Sequence, residues 1–483
     1  MNSSNISDSE NVSTNLDASA TLPVDQNIPK LDQSISKTKA QTGSDRKKHF
    51  LENLRSIQDS DPLNSSSKKS RGNWDSRVGD PNYEKKEGSE ARKPKKAVAL
   101  YMSYCGTGYQ GMQANPNAKT IENDLFLALC KAGAVSESNS SDQKKIQLQR
   151  AARTDKGVHA AGQIASLKMI IEDKDIVEKI NAELPKQIRV WGYSKVINSF
   201  NPKTLCDSRM YEYLLPTYTF LPTEQKILDM VKETSLEDRE NIYYRKKKVE
   251  SSPQGDLEDG SVSDSNDLTS QRHIQESKIK RQSYRIDTNM HAKIKSYFDQ
   301  YVGTHNFLNF TVTKGTTGNN SQRHIKGITV SDPMIIGDGE WLSIKIHGQS
   351  FMLHQIRKMI GLVILLAKSN TPESVIEKIF NSKRINIPKA PGFALLIERP
   401  VFDAYNKRLE SLPKNPDGYR DQISFEKFQT EIDSFKQEFI YSKLFDEEAK
   451  NGIFNLWVEM NDAFPEQFPY LNPQGEIPES AFV

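Results

Sequence analysis

The chain has 483 residues, of which 27% are charged and 36% apolar, and its 66 Lys and Arg against 63 Asp and Glu leave a net charge of +3. That length allows two or three packed domains, and the modest apolar share predicts that part of the chain does not pack. A balance this close to neutral excludes an overall polycation, although acids gathered in tails leave room for a locally basic face.

No apolar run is long enough to span a bilayer; GLVILLA at 361–367 is too short. The N-terminal stretch has no apolar signal core, and Asp8, Glu10 and Asp17 come before any base, which argues against a mitochondrial presequence. Cys105, Cys130 and Cys206 are odd in number and widely spaced, a pattern of free thiols in a reducing compartment with no zinc-ligand spacing.

Residues 1–94 are rich in Ser, Asn, Asp and Lys and predict a disordered tail, apart from a helix near KKHFLENLRSI. Its basic clusters SKKSR (67–71) and ARKPKK (91–96) read either as a nuclear localisation signal or as a solvated linker. Order begins at Ala97. AVALYMSY predicts a strand and GTGYQG a turn. Thr120 is placed to cap a helix through Ile121, Leu125 and Leu129. IQLQRAARTD and ASLKMII alternate as strands, DIVEKINAEL is helical up to Pro185, and IRVWGYSKV and SRMYEYLLPT are strands. The polar, mixed-charge stretch over 223–288 predicts a largely disordered insertion. A helix at HAKIKSYFDQYVG follows, then strands at FLNFTVT, IKGITV and EWLSIKIHG. A long buried helix at SFMLHQIRKMIGLVILLAK, a short one at VIEKIF and a last strand at FALLIERP complete this part. This irregular alternation predicts an α+β fold with similar halves at 95–222 and 289–406 and a helical extension at 407–483.

Residues 150–163, RAARTDKGVHAAGQ, concentrate the chemistry. Arg153 and Asp155 are two apart, so an extended segment points them the same way, and Thr154 and Gly157 mark a turn. Taken alone, an Arg and an Asp at this spacing are most often a weak surface ion pair. The full string RTDKGVHA resembles the signature of the TruA family of tRNA pseudouridine synthases, and AARTDKGVHAAGQ with SLKM is similar to its eukaryotic branch. YCGTGYQGMQ, TIENDL, SRMYEYLLPT, THNFLNFT, GQSFMLHQIRKMIG and APGFALLIERPVFDAYN follow in the family's order over 97–406.

The resemblance implies two sheet-plus-helix halves sharing one central antiparallel sheet, with a cleft between them. It implies conversion of uridine to pseudouridine in the anticodon stem and loop of tRNA, and in small nuclear and messenger RNA; that isomerisation involves no redox change or phosphate transfer and so needs no cofactor, and the expected location is the nucleus. Asp155 matches the family's catalytic aspartate. Arg153 matches the arginine that keeps the base flipped out, and Tyr211 the tyrosine that stacks on it. Arg357 matches the base that ion-pairs with the aspartate, and a charge on so apolar a helix needs such a partner. The expected assembly is a monomer or weak homodimer. Candidate phosphate contacts are Lys156, Lys186, Arg189, Lys203, Arg209, Lys314, Arg323, Lys326, Lys383 and Arg384. His159 receives no role; His347 and His354 read as packing histidines, and Phe307 and Phe310 as core or cleft wall. The competing readings are an RNA-binding paralogue without turnover and a glycosidase, which needs a second positioned carboxylate that the blocks do not offer.

Overall fold

In a computed structural model, residues 93–240, 268–312, 320–411 and 420–483 are described. The expected helix at 47–57 and the basic cluster at 67–71 lie outside them. Ten strands form one sheet: β1 (Lys95–Tyr104), β2 (Gln149–Arg150), β3 (His159–Ile170), β4 (Ile188–Lys195), β5 (Ser208–Pro216), β6 (Gly303–Asn306), β7 (Gln322–Val330), β8 (Met334–Ile336), β9 (Gly339–Gly348) and β10 (Leu395–Val401). Their order across the sheet is β4-β1-β3-β10-β5-β9-β7-β6, with β2 added to β3 and β8 to β9. The α+β class is as expected.

One feature of the sheet differs from expectation. All neighbours are antiparallel except at the centre, where β10 lies parallel to β3 through Leu396↔His159 and Ile397↔Ala160. The sheet expected to be antiparallel is mixed. Connectivity explains it, because a tight turn joins only antiparallel neighbours, whereas β10 meets β3 after a long crossover. β5, placed by the sequence in the first half, crosses this seam to pair with β9 and β10.

Helices cover one face. α1 (Ile121–Lys131) and α2 (Ile176–Glu183) bury Ile121, Leu125, Leu129, Ile176 and Ile180 against Val98, Leu100 and Met102 of β1. Thr120 is the N-cap of α1, as its position predicts, yet its hydroxyl makes no capping bond. The segment read as an insertion carries helices at both ends, α3 (Gln225–Glu233) and α4 (Leu268–Ser283); residues 241–267 between them lie outside the described residues. α5 (Thr288–Asp299), α6 (Gln355–Ser369) and α7 (Ser374–Asn381) serve the second half, and α6 buries Ile356, Met359, Leu362, Val363 and Leu366.

Two strand expectations fail for local reasons. IQLQRAARTD yields only the two residues of β2. In FLNFTVT, Phe307 precedes and Phe310 ends a short 3-10 turn, Leu308–Phe310, and both rings are wholly buried beside Tyr301 and Phe380. Residues three apart point to opposite faces of a strand, so a turn is needed to bury both rings together.

The C-terminal extension holds α8 (Asp403–Glu410), α9 (Gln429–Phe435), α10 (Ser442–Asn451) and α11 (Ile453–Asp462). It packs on the other face of the sheet. Tyr101 of β1, one step out of phase with Leu100 and Met102, meets the rings of Phe425 and Phe428, each at 5.2 Å. Between α9 and α10 the helix widens into a π turn, Lys436–Tyr441. This turn brings Lys436 and Tyr441, five residues apart, over one buried carboxylate: Glu212 lies 2.8 Å from the Lys436 ammonium and 2.8 Å from the Tyr441 hydroxyl. Lys436 also reaches Glu398 at 2.8 Å. Glu212 follows Tyr211 on β5, and Glu398 follows Ile397, the residue opposite Tyr211 on β10.

Candidate active site

The motif loop leaves β2 at Arg150 and enters β3 at His159. Gln163 clamps its start. The amide oxygen accepts from the backbone of Ala152 and Ile164 at 3.2 Å, and the amide nitrogen donates to the Ala152 carbonyl at 3.1 Å. Downstream, the Tyr104 hydroxyl lies 3.0 Å from Thr154 Oγ1. The Met112 amide donates to the Thr154 carbonyl at 3.2 Å, and the Gly157 amide to the Tyr109 carbonyl at 3.2 Å. Gly111 sits at φ +108, where a Cβ would stand 2.4 Å from the Thr154 carbonyl oxygen. The GTGYQG turn therefore lies backbone to backbone on the motif loop, and only glycine permits that approach.

Asp155 is exposed on this braced loop, and its carboxylate makes no hydrogen bond or ion pair among the described residues. Arg153, also exposed, lines a cavity of about 560 Å³ with Arg150, Lys203, Arg209, Tyr211 and Phe351. That volume falls in the range of small-ligand sites. Asp155 is outside the lining, at the next turn of the same loop. Tyr211 meets Phe351 edge to face, with ring centroids 5.0 Å apart and an interplanar angle of 78°. Burial pushes the Tyr211 hydroxyl up to about 12, with Arg209 pulling it down and Cys206 and Asp155 adding to the rise. The phenol is protonated at neutral pH, able to donate. No role for Phe351 is legible in the sequence, because the pairing exists only across the fold.

Arg357, the third residue of α6, is held otherwise than expected. Its Nε donates to the Ala390 carbonyl at 2.7 Å, and its guanidinium lies against Gly392, where a Cβ would come within 3.2 Å. Burial lowers its pKa, and Tyr213 and then Asp155 oppose the change. The ion pair expected between Arg357 and Asp155 is not formed: the 390 carbonyl takes the Nε–H of the guanidinium, and Asp155 bears on it only at a distance, through its charge.

His159, left without a role in the sequence, links these parts. It is 2% exposed. Its Nδ1 accepts from the Gly106 amide at 3.1 Å, so Nε2 carries the proton and donates to the Phe393 carbonyl at 3.1 Å. Burial pulls its pKa down to about 4, against the bond to Phe393, and the ring is neutral at pH 7. The 390–393 segment it grips also holds Arg357 and, through the Pro391 carbonyl at 2.7 Å, the Tyr213 hydroxyl. His159 thereby ties the strand behind Asp155 to the segment that seats Arg357.

The basic candidates separate into two groups. Arg209 donates to the Ala151 carbonyl at 2.9 Å and, with Lys203, lines the cavity. Lys326 lies 3.2 Å from Ser208 Oγ, which also meets His347 at 2.8 Å. Lys156 and Lys186 are exposed. Arg189, by contrast, donates to the carbonyls of Pro185 at 2.9 Å and Ile188 at 2.6 Å, just beyond α2. Arg323 donates to Asn320 and Gln322 at 3.0 and 2.6 Å. Neither lines the cavity. Both half-buried guanidiniums spend donors on nearby backbone carbonyls, and no sequence pattern reveals that use. Lys383 approaches Glu479 at 3.9 Å, Arg384 donates to the Thr311 carbonyl at 3.2 Å, and Lys314 lies outside the described residues. Arg150 pairs at 2.6 Å with the buried Glu122, a partner the sequence reading missed. Among the described residues no group of three or more His, Cys, Asp or Glu gathers to hold a metal ion.

A sequence profile described as tRNA pseudouridine synthase matches residues 298–403, from α5 through β10. The chain is similar to tRNA pseudouridine synthase 1 of Yarrowia lipolytica, at 44% identity over 420 residues, 80% of this chain and 78% of that protein. The Schizosaccharomyces pombe protein of the same name is 39% identical over 469 residues, 80% of this chain and 86% of its own. Pseudouridylate synthase 1 homolog of Mus musculus is 34% identical over 368 residues, 76% of this chain and 73% of that one.

Proposed function

The chain belongs to the TruA family of tRNA pseudouridine synthases, and from that membership we propose that Asp155 is the carboxylate that carries out its reaction. The chain is an enzyme that isomerises uridine to pseudouridine in tRNA. The C1′–N1 bond breaks, the base turns, C1′ joins C5, the C5 proton leaves and N1 gains one. Atoms balance within one nucleotide, with no oxidation and no transferred group, so the chemistry calls for no cofactor.

One observation carries the assignment: an exposed carboxylate on a loop braced from three sides stands beside a basic cavity of nucleoside size. A base extruded from its stack enters that cavity. Tyr211, backed edge-on by Phe351, offers it a stacking face and a protonated hydroxyl. Arg153 fills the space the base has left. Arg209 and Lys203 hold the flanking phosphates. Asp155 then attacks C1′ of the ribose or C6 of the base. Arg357 stabilises the charge there through its field, since the carbonyl of Ala390 holds its guanidinium in place.

The substrates extend to uridines of the anticodon stem and loop and to small nuclear and messenger RNA. The enzyme works in the nucleus, with the clusters at 67–71 and 91–96 as its signal. It acts as a monomer, a reading supported by the extension, which covers the second face of the sheet from within the chain.

The test is single-turnover tritium release from C5-labelled uridine in tRNA, run beside a binding curve. Wild type releases tritium. Asp155→Ala binds but releases none over hours, because loss of a nucleophile falls on the chemical step. Release by Asp155→Ala would remove this aspartate from the mechanism. No release by wild type would make the chain a silent RNA-binding paralogue.

A further inference from the structure

We infer that a second groove, continuous with the target cavity across β2, is an RNA subsite that takes the nucleotide next to the target uridine. The inference rests on the reading of the first cavity as the seat of the target. The groove has a volume of about 420 Å³ and shares Leu148 and Gln149 with that cavity. Its polar lining includes Lys144, Gln147, Lys168, Asn198 and Asn201.

Charge separates this groove from ordinary surface. The chain carries nearly equal numbers of acids and bases. Yet the two adjoining cavities are lined by Lys144, Arg153, Lys168, Lys203 and Arg209, besides Arg150, whose charge Glu122 offsets, with no Asp or Glu in either lining. Neither Lys144 nor Lys168 makes an ion pair among the described residues. Two unpaired ammonium groups beside amide side chains suit a phosphate and the hydrogen-bonding edge of an unstacked base.

The wall is built in advance. Residues 196–205 form one braced loop. The Val196 amide donates to the Ala97 carbonyl at 3.0 Å, the Phe200 amide to Ile197 at 2.9 Å and the Leu205 amide to Asn201 at 3.0 Å. The Phe200 ring is anchored 4.9 Å from Tyr405 and 5.7 Å from Phe402. Asn201 Oδ1 accepts from the Lys203 amide at 3.0 Å. A single rigid loop thus presents Asn198 to one cavity and Lys203 to the other. A flipped nucleotide stays joined to both neighbours through its phosphates, and a neighbour leaving the cavity over β2 enters this groove.

The experiment uses the full chain and a stem–loop RNA containing one target uridine, in three forms: intact, abasic on the 5′ side of the target and abasic on the 3′ side. Lys144→Ala/Lys168→Ala should weaken binding of the intact RNA about tenfold and lower the slope of log affinity against log salt by about 1 per lysine. The single-turnover rate at saturating enzyme should not change. The abasic site should weaken wild-type binding on one side only, and Asn198→Ala should erase that asymmetry. Lys144→Ala alone, at an exposed position outside the sheet, repeats the slope measurement should the double variant fold poorly. An unchanged slope, or abasic sites without effect on either side, overturns the inference. Tritium release by wild type and its loss in Asp155→Ala, measured on the same RNA, show that the target site itself stands, so the two readings fail separately.

Discussion

Lys436→Met is the perturbation that most directly probes how the extension serves the catalytic sheet. Lys436 and Glu212 are 6% and 2% exposed at their side chains, and Glu398 shares the same ammonium. Removing one partner of a buried ion pair costs about 4 kcal/mol, mostly from the charge left behind. A unit of roughly 390 residues unfolds with an entropy of about 0.8 kcal/mol/K, so the expected loss is about 5 °C in Tm at pH 7. The pH dependence carries the sharper signature. In the native protein burial alone would raise the Glu212 pKa, but Lys436 and its hydrogen bonds outweigh burial and lower it. That stabilisation is present above the ordinary carboxylate range and is lost as pH falls through the depressed value. Without Lys436 burial dominates, the Glu212 pKa moves up, and stability rises as pH falls. The gap in Tm between the two proteins should therefore be widest near pH 8 and narrow toward pH 5. Glu212→Gln in the Lys436→Met background should recover part of the loss. Differential scanning calorimetry across this range reads all three. A constant gap, or no recovery with Gln, would refute the account of Lys436 as counter-charge to the strand that bears Tyr211.

Two more outcomes follow from the site. His159 titrates near 4 when folded against an ordinary 6.5, so its contribution is full above 6.5 and is lost as pH falls toward 4, about 3 kcal/mol at most; urea titrations of wild type and His159→Asn from pH 7 to 4.5 should show a flatter decline in the variant. Arg189→Ala should cost about 1–2 kcal/mol of stability through its lost carbonyl bonds while leaving the salt dependence of RNA binding unchanged, and a lowered salt slope would return Arg189 to the RNA surface.

What the sequence makes legible is periodic or contiguous. The strands around Leu100, Leu342 and Leu396 follow from branched and aromatic residues, and α6 from its apolar run. The motif at 150–163 is one unbroken string. What stays hidden depends on distant neighbours. Lys436 sits in a helix where the ordinary 3.6-residue period does not align it with Tyr441; the π turn does, and the glutamates it serves lie on two strands far apart in the chain. The capture of Arg357 by the Ala390 carbonyl, the edge-on backing of Tyr211 by Phe351 and the bridge made by His159 are likewise tertiary facts. Parallel pairing of β3 with β10 leaves no local trace, because both strands read alike in either direction.

That central pairing has a consequence for how the molecule is made. β3 enters the growing chain early, but its inner neighbour is a strand drawn from residues 395–401. Until that stretch has left the ribosome, β3 has an open edge at the middle of the future sheet, beside the loop that carries Asp155. At about 5–20 residues per second, the more than 200 intervening residues take roughly ten seconds or longer to synthesise. For that time the nascent first part is a half-sheet in which β1 holds one edge of β3 and β2 a short stretch of the other, while the edge at His159 and Ala160 stays unpaired, a form prone to join another chain. Capture by a chaperone during translation, and aggregation of fragments ending before residue 395, are the natural liabilities of a catalytic sheet closed by its last strand.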